Sequence, residues 1–398
     1  MRVASSASAQ VDAGTAVRDA SAVLRATLGE EPDFVAAYFS ADYDAVALLA
    51  ELETQFPNAQ LHGATSCTGV MTEMGYVGHS GSGLGLFGVS DPRGFYGTSA
   101  APLSLGVHEA TLQALRQALA AADMVGARPD LIWLNSSPGC EEQVLATIRD
   151  EIGPDVPVIG GSAADNTIEG RWLLCARDFR AAEAVVITAM FPSGRFAYAF
   201  HSGYAPTARH GTVTRATGRT MYEIDNRPAA EIYDEWTQGS IAQERNGGGV
   251  ILASTTLHPL GRVAHRIQGI PYYKISHPET ATVDGGLTLF TDVAVGDEMH
   301  LLAGSRDSLI ERAGRVANNA VGSVFDGADG VSGALVVYCA GCMLAVRDQM
   351  DEVVASIDGA LGGKPFLGLF TFGEQGCFVG GENRHGNLMI SVTVFARS

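Results

Sequence analysis

Apolar residues along this chain fall in short unbroken runs, and three of those runs open stretches with a common grammar. The stretches begin at Asp33, Asp130 and Ala334. Each starts with an apolar run closing on small residues: Phe34 to Phe39, Leu131 to Leu134, Leu335 to Tyr338. Such runs between turn signals predict buried strands. An amphipathic segment follows, as where Val144, Leu145, Ile148 and Ile152 recur at helical spacing with Glu and Arg between them. Pro57, Gly153-Pro154 and Gly362-Gly363 then stop the helix. A second apolar run leads into Gly63, Gly160 or Gly368. Asp33 to Gly63 and Asp130 to Gly160 both span 30 positions, and Ala334 to Gly368 spans 34. That length predicts a strand–helix–strand unit with parallel strands, the third helix about one turn longer.

Each stretch is followed by a further apolar strand: Leu84 to Val89, Ala184 to Phe191, Leu388 to Phe395. The predicted fold class is therefore α/β, with three copies of a βαβ-plus-strand unit forming pseudo-symmetric mixed sheets flanked by helices. Residues 1–13 read as an N-terminal tail. Residues 14–195 hold the first two copies. Residues 196–398 hold the third, preceded by an inserted stretch of different texture. That insertion predicts strands at Phe196 to Phe200, Thr212 to Arg215, Gly286 to Phe290 and His300 to Ala303. It also predicts helices at Pro228 to Thr237 and Ser308 to Val321, and a loop or lid at Gln238 to Gly249.

Composition narrows the function classes. The net charge is −18 with no basic run, which argues against nucleic acid and anionic lipid as partners. No apolar stretch reaches the roughly 18 residues of a membrane span. The start lacks the apolar core of a signal peptide. The six cysteines are scattered, as thiols of a reducing compartment would be, so the expected location is cytoplasmic.

Ligands of α/β sheets bind beyond the carboxyl ends of the parallel strands. That rule selects the loops at 63–69, 135–137, 160–166 and 371–374. They supply Thr65, Ser66, Asn135, Ser136, Gly161, Ser162, Asn166 and Glu374 as candidate ligand-binding residues, with His385 from a late glycine-rich turn. Free amides and hydroxyls at such corners suit a carboxylate or phosphate. Cys339 and Cys342 form a CxxC pair between a strand and a helix and are the redox candidates. A zinc site would need a second ligand pair at matching spacing, and none is seen. A catalytic cysteine (Cys67, Cys140 or Cys339) served by His385 and Glu374 can be written down, but no nucleophile elbow accompanies it. The expected protein is not an enzyme.

Several segments in one order resemble the FIST family, N-terminal and C-terminal domains together. They are Gly63-Ala64-Thr65-Ser66-Cys67-Thr68-Gly69, Val158-Ile159-Gly160-Gly161, Val213-Thr214-Arg215, Ser276-His277-Pro278, Tyr338-Cys339-Ala340-Gly341, Phe372-Gly373-Glu374 and His385. The resemblance covers nearly the whole chain from about Gly14. It implies a FIST N-terminal domain over 14–195 and a FIST C-terminal domain over 196–398. It also implies a sensory module that binds a small ligand and signals in trans to a histidine kinase or other signalling protein, with self-association left open. The most specific version is a haem-based nitric oxide sensor, with His277, His258 and His385 as axial candidates. The alternatives are a haem-free sensor of an amino-acid-like metabolite and a cysteine-dependent enzyme.

Overall fold

A computed structural model of the protein describes residues 1–79, 81–267, 270–324, 327–378 and 381–397. Each predicted strand–helix–strand stretch is the heart of a six-stranded sheet. In the first unit, strands Phe34–Phe39 and Gln60–Thr65 run parallel with helix Ala45–Gln55 between them. In the second, Leu131–Ser136 and Val158–Ser162 flank helix Glu141–Ile152. In the third, Val331–Cys339 lies parallel to Phe366–Thr371. The further strands Leu84–Ser90, Ala184–Phe191 and Met389–Ala396 each pair antiparallel with the first strand of their own unit. Beyond them lie edge strands Arg2–Ser8, Phe95–Pro102 and Phe196–Ser202.

Two expectations are corrected here. Residues 2–8 are a strand rather than a tail: Val3, Ala4 and Ser6 are buried, because their neighbour Leu84–Ser90 leaves a free ladder of amides and carbonyls to fill. Asp12 then caps helix Ala13–Leu28, which ends at Gly29 in the left-handed conformation, φ 76°. The third connection is not one longer helix. It is a short helix Ala340–Ala345 and a separate helix Met350–Leu361, broken where Val346 leaves helical geometry.

A hairpin leaves each unit and completes the sheet of another. Val70–Thr72 and Gly75–Val77 extend the third sheet through Phe366–Thr371. Leu174–Ala176 and Phe179–Ala181 extend the first through Gln60–Thr65. Glu374–Cys377 and Asn383–Gly386 extend the second through Val158–Ser162. The exchange closes into a ring. It also explains the continuous apolar runs, since each sheet is buried on both faces. One face carries its own helices, as Leu24, Leu49 and Leu52 do in the first unit and Leu115, Val144 and Ile148 in the second. The other face enters a core shared by all three units, holding Phe34, Phe87, Trp133, Ile159, Leu335, Leu369 and Phe395.

Residues 205–303 are inserted between the third unit's edge strand and its first helix, Arg306–Gly322. They form a nine-stranded antiparallel sheet that packs with helix Ala229–Trp236 around a core of its own, including Val213, Ile224, Tyr233 and Leu260. Three of the four predicted strands lie within Phe196–Ser202, Ala205–Thr217 and Glu298–Ala303, and the predicted Gly286 to Phe290 is strand over Leu287–Leu289.

Candidate functional site

The carboxyl ends of the three parallel pairs do meet, and they satisfy one another. Cys67 N donates to Phe370 O at 3.1 Å, Ala164 N to Thr65 O at 3.1 Å and Ser162 N to Gly373 O at 2.8 Å. The hydroxyl of Ser66 accepts from Phe370 N (2.8 Å) and donates to Gly69 O (2.5 Å). Thr65 bonds Leu173 on the borrowed hairpin, and Asn166 joins Thr68 N to Asp42. A Cβ on Gly161 would come 2.4 Å from Thr371 Cγ2, so this glycine serves the contact between units. Asn135 is fully buried between Tyr38, His62 and the Gly161 carbonyl. Ser136 is fully buried too, and its hydroxyl makes no bond. These corners, expected to surround a ligand, instead cement the ring of sheets.

The cavity lies to one side, where the inserted sheet covers the strand ends of the third unit. It has a volume of about 480 Å³. Its floor is Cys339, Gly341, Thr371 and Phe372. Its roof is Leu252, Ala253, Thr256, Leu257, His277 and Phe290 from the insertion, and Ile168 reaches in from the second unit. Leu344, Ala345 and Arg306 complete the wall, with the Arg306 guanidinium held by Gln349 (3.0 Å) and Asp348. The lining is mostly apolar, and among its polar side chains one stands apart. Asn387 is 2% exposed, lines the cavity, and its Nδ2 has no hydrogen-bond partner. Its Oδ1 accepts from His277 N at 3.3 Å, which fixes the amide with its NH₂ group unmet. A buried donor left so costs roughly 1–3 kcal/mol.

A second, polar cavity of about 420 Å³ is lined by Glu142, Lys274, Arg384 and His385. Beside it Glu141, Glu142 and His385 offer ligand atoms within 4.8 Å of one another. The carboxylates already have cations. Arg219 Nη2 reaches both at 2.7 Å, and Lys274 Nζ lies 3.2 Å from Glu142. Burial alone would raise both carboxyls; the charges of His385, Arg219 and, for Glu142, Lys274 outweigh it and hold Glu142 at about 2. Arg219 and Lys274 come from the insertion and the two glutamates from the second unit, so this cluster is the polar joint that seats one on the other.

Residues 33–227 match the FIST N domain, and residues 229–377 match the FIST C domain. The chain belongs to the FIST family. FIST domains are sensory domains of signalling proteins that bind small ligands. The two matches meet inside the inserted sheet rather than at 195/196. The chain is also 28% identical over 95 residues to an uncharacterized protein of Methanocaldococcus jannaschii, MJ1623; the match takes in 24% of this chain and 18% of that relative. Among solved structures, a cyanuric acid hydrolase from A. caulinodans aligns over 100% of this chain and 99% of its own at 10% identity, TM-score 0.40. PurLQS from Thermotoga maritima aligns at 9% identity over 72% of its own chain, TM-score 0.23.

The FIST fold places the predicted site residues in three separate surroundings. Of the axial candidates, only His277 lines the apolar cavity. Its Nε2 meets Thr255 Oγ1 at 2.9 Å, the Leu252 backbone holds the ring as well, and burial pushes it down to about 4, so it is neutral. His385 bonds Gln375 (3.4 Å) and Phe290 O (3.2 Å) and lines the polar cavity. His258 is half-buried and lines neither cavity. A haem iron needs a ring nitrogen open to the cavity, and His277 Nε2 is already engaged by Thr255. Glu374 is not beside His385. It is buried, accepts from Thr371 Oγ1 and Met389 N, and burial raises its carboxyl well above the usual range. The thiols of Cys67 and Cys140 are pushed up to about 12, chiefly by burial, which makes them poor nucleophiles. Asn387, Leu257 and Phe290 were missed by sequence reasoning. Asn387 stands two places after His385, and nothing in that spacing sets an amide apart from other turn residues.

Proposed function

We propose that this FIST protein is a non-catalytic, haem-free sensor. Its ligand occupies the cavity between the inserted sheet and the third unit, and it reports to a separate signalling protein such as a histidine kinase. The observation that carries this reading is the Asn387 amide, buried and unmet in a mostly apolar cavity. The arrangement suits a small molecule with an apolar body and one carbonyl or carboxylate oxygen that accepts from Asn387 Nδ2. An amino-acid-like metabolite would need its charged amine left outside, since the described lining holds no carboxylate. Because roof and floor come from different parts of the fold, an occupied cavity ties the insertion to the third sheet. That is the differential contact a ligand needs to shift a population.

A thermal-shift screen of small amides, ketones and carboxylic acids tests the reading. A hit at 100 times its dissociation constant adds about 2.7 kcal/mol. Asn387→Leu, which removes the amide at similar volume, should keep the fold and weaken hits at least tenfold. Hits that bind Asn387→Leu unchanged would place the ligand elsewhere. The nitric oxide-sensing version adds haem to the same cavity and requires His277 to leave Thr255. A Soret band in protein purified with haem supplied, abolished by His277→Ala, would support that version over the haem-free one.

A further inference from the structure

We propose that Cys339 and Cys342 form a dithiol switch at the floor of the cavity, with Arg312 as its fixed cation, and that a small hydroperoxide entering the cavity converts the pair to a disulfide. The proposal stands on a cluster that ligand binding does not use. Arg312 is 1% exposed in the middle of helix Arg306–Gly322. Its guanidinium lies 5.7 Å from the Tyr204 ring centre and 5.3 Å from that of Tyr338. Nη1 donates to Leu388 O at 2.8 Å, while Nε and Nη2 have no hydrogen-bond partner. A cation so deep requires a counter-charge. Burial raises the nearby Glu374 carboxyl well above the usual range, which disfavours a carboxylate there, while the Arg312 charge draws the Cys342 thiol down. Cys342 is fully buried, and the Tyr204 hydroxyl lies 3.5 Å from its Sγ.

The chemistry of the pair follows. Burial would raise the Cys342 thiol, but the hydrogen bond from Cys339, the Arg312 charge and the Tyr204 hydroxyl outweigh it and bring the thiol down to about 6. Burial pushes the other five thiols up. Cys339 bonds Cys342 and lines the cavity, so it is the sulfur a solute can touch. When the shared proton moves to Cys342, the Cys339 thiolate attacks the peroxide. An S–O bond forms, the O–O bond breaks, and hydroxide leaves, taking the Cys342 proton as water. The Cys342 thiolate then attacks the Cys339 sulfenic sulfur. The S–S bond forms, S–O breaks, and a second hydroxide leaves. One thiol, one thiolate and hydrogen peroxide become a disulfide, water and hydroxide, with two electrons passing from sulfur to peroxide. The disulfide carries no charge, so Arg312 loses its counter-ion directly beneath the cavity floor, and the ligand site changes with redox state.

The test uses the full chain and no ligand. Protein treated with hydrogen peroxide is denatured, alkylated and read by peptide mass. The expected result is a Cys339–Cys342 disulfide, reversed by dithiothreitol, while Cys67, Cys140, Cys175 and Cys377 remain alkylated. Oxidation of all six thiols at one rate, or an alkylated Cys339–Cys342 peptide, would overturn the proposal. Arg312→Lys should keep the rate within about threefold, and Arg312→Met should slow it at least tenfold. Should Arg312→Met not fold, Cys342→Ser serves instead: loss of the alkylatable Cys339 thiol on peroxide treatment, which reads the first step alone, should slow at least tenfold, and an unchanged rate overturns the shared-proton route. Binding of the fluorescent probe 8-anilinonaphthalene-1-sulfonate to oxidised and reduced protein reads the coupling. A change of at least threefold in Kd is expected, and equal affinities would remove the switch while leaving the ligand reading intact.

Discussion

Asn135, His62 and Thr188 show what buried polar residues do at the centre of this fold. His62 Nε2 lies 2.8 Å from Asn135 Oδ1 and its Nδ1 lies 2.9 Å from Thr188 Oγ1, which joins strands of the first and second sheets. The sequence marked Asn135 as a ligand residue because it ends a strand in small polar company. That same chemistry also suits a structural network, and single-sequence spacing does not separate the two. Arg312 was legible and overlooked: it falls three places after Leu309 and four before Val316, on the buried face of a helix where an arginine needs a reason. The buried histidines also set a pH dependence. Burial holds His62 and His277 at about 4 when folded, against about 6.5 unfolded. Between those values the unfolded chain binds more protons, so stability falls as pH drops from 6.5 toward 4. Glu374, raised when folded, acts in the opposite direction above about 4.5 and reduces the effect. The net expectation is a loss of stability, of order a few kcal/mol at most, between pH 6.5 and 4.5 by urea unfolding. His62→Gln should flatten that slope, and an unchanged slope would show that His62 titrates normally.

At the scale of elements, the parallel strand pairs and their crossing helices were readable because continuous apolar runs and glycine or proline stops have few other solutions. The hairpins were not. Val70–Thr72, Leu174–Ala176 and Glu374–Cys377 are three or four residues long, and their partners lie in other units, so no local pattern reports them. The opening strand was missed because Arg2–Ser8 reads as small and polar; its burial comes from its neighbour rather than from its own hydrophobicity. Gly160 carries the clearest test of strand packing. A Cβ there would sit 1.7 Å from the Leu134 carbonyl oxygen in the adjacent strand, so the two backbones cannot accept it in place. Gly160→Ala should therefore destabilise the protein by about 3 kcal/mol or more, or prevent folding. A melting temperature within 2 °C of the parent would show that the strand pair adjusts freely.

The whole molecule is a closed exchange of hairpins, and this bears on its division into two FIST domains. Each sheet depends on a segment from another unit, and the shared core draws on all three. Residues 1–195 and 196–398 expressed apart should each be insoluble or molten, with one cooperative transition seen only for the intact chain. Two independently folding halves with separate melting transitions would contradict the interlocked core. The same closure explains why the expected ligand corners came together and bond one another: they finish the ring, and the apolar cavity opens to one side, where the insertion overhangs the third sheet. The most direct test of that account is a diffraction structure of the protein with a thermal-shift hit bound. The account predicts density between Leu257, Phe290 and Cys339 with an acceptor oxygen within hydrogen-bond reach of Asn387 Nδ2. Density in the polar cavity beside Glu142 and Lys274, with the Asn387 cavity empty, would contradict it.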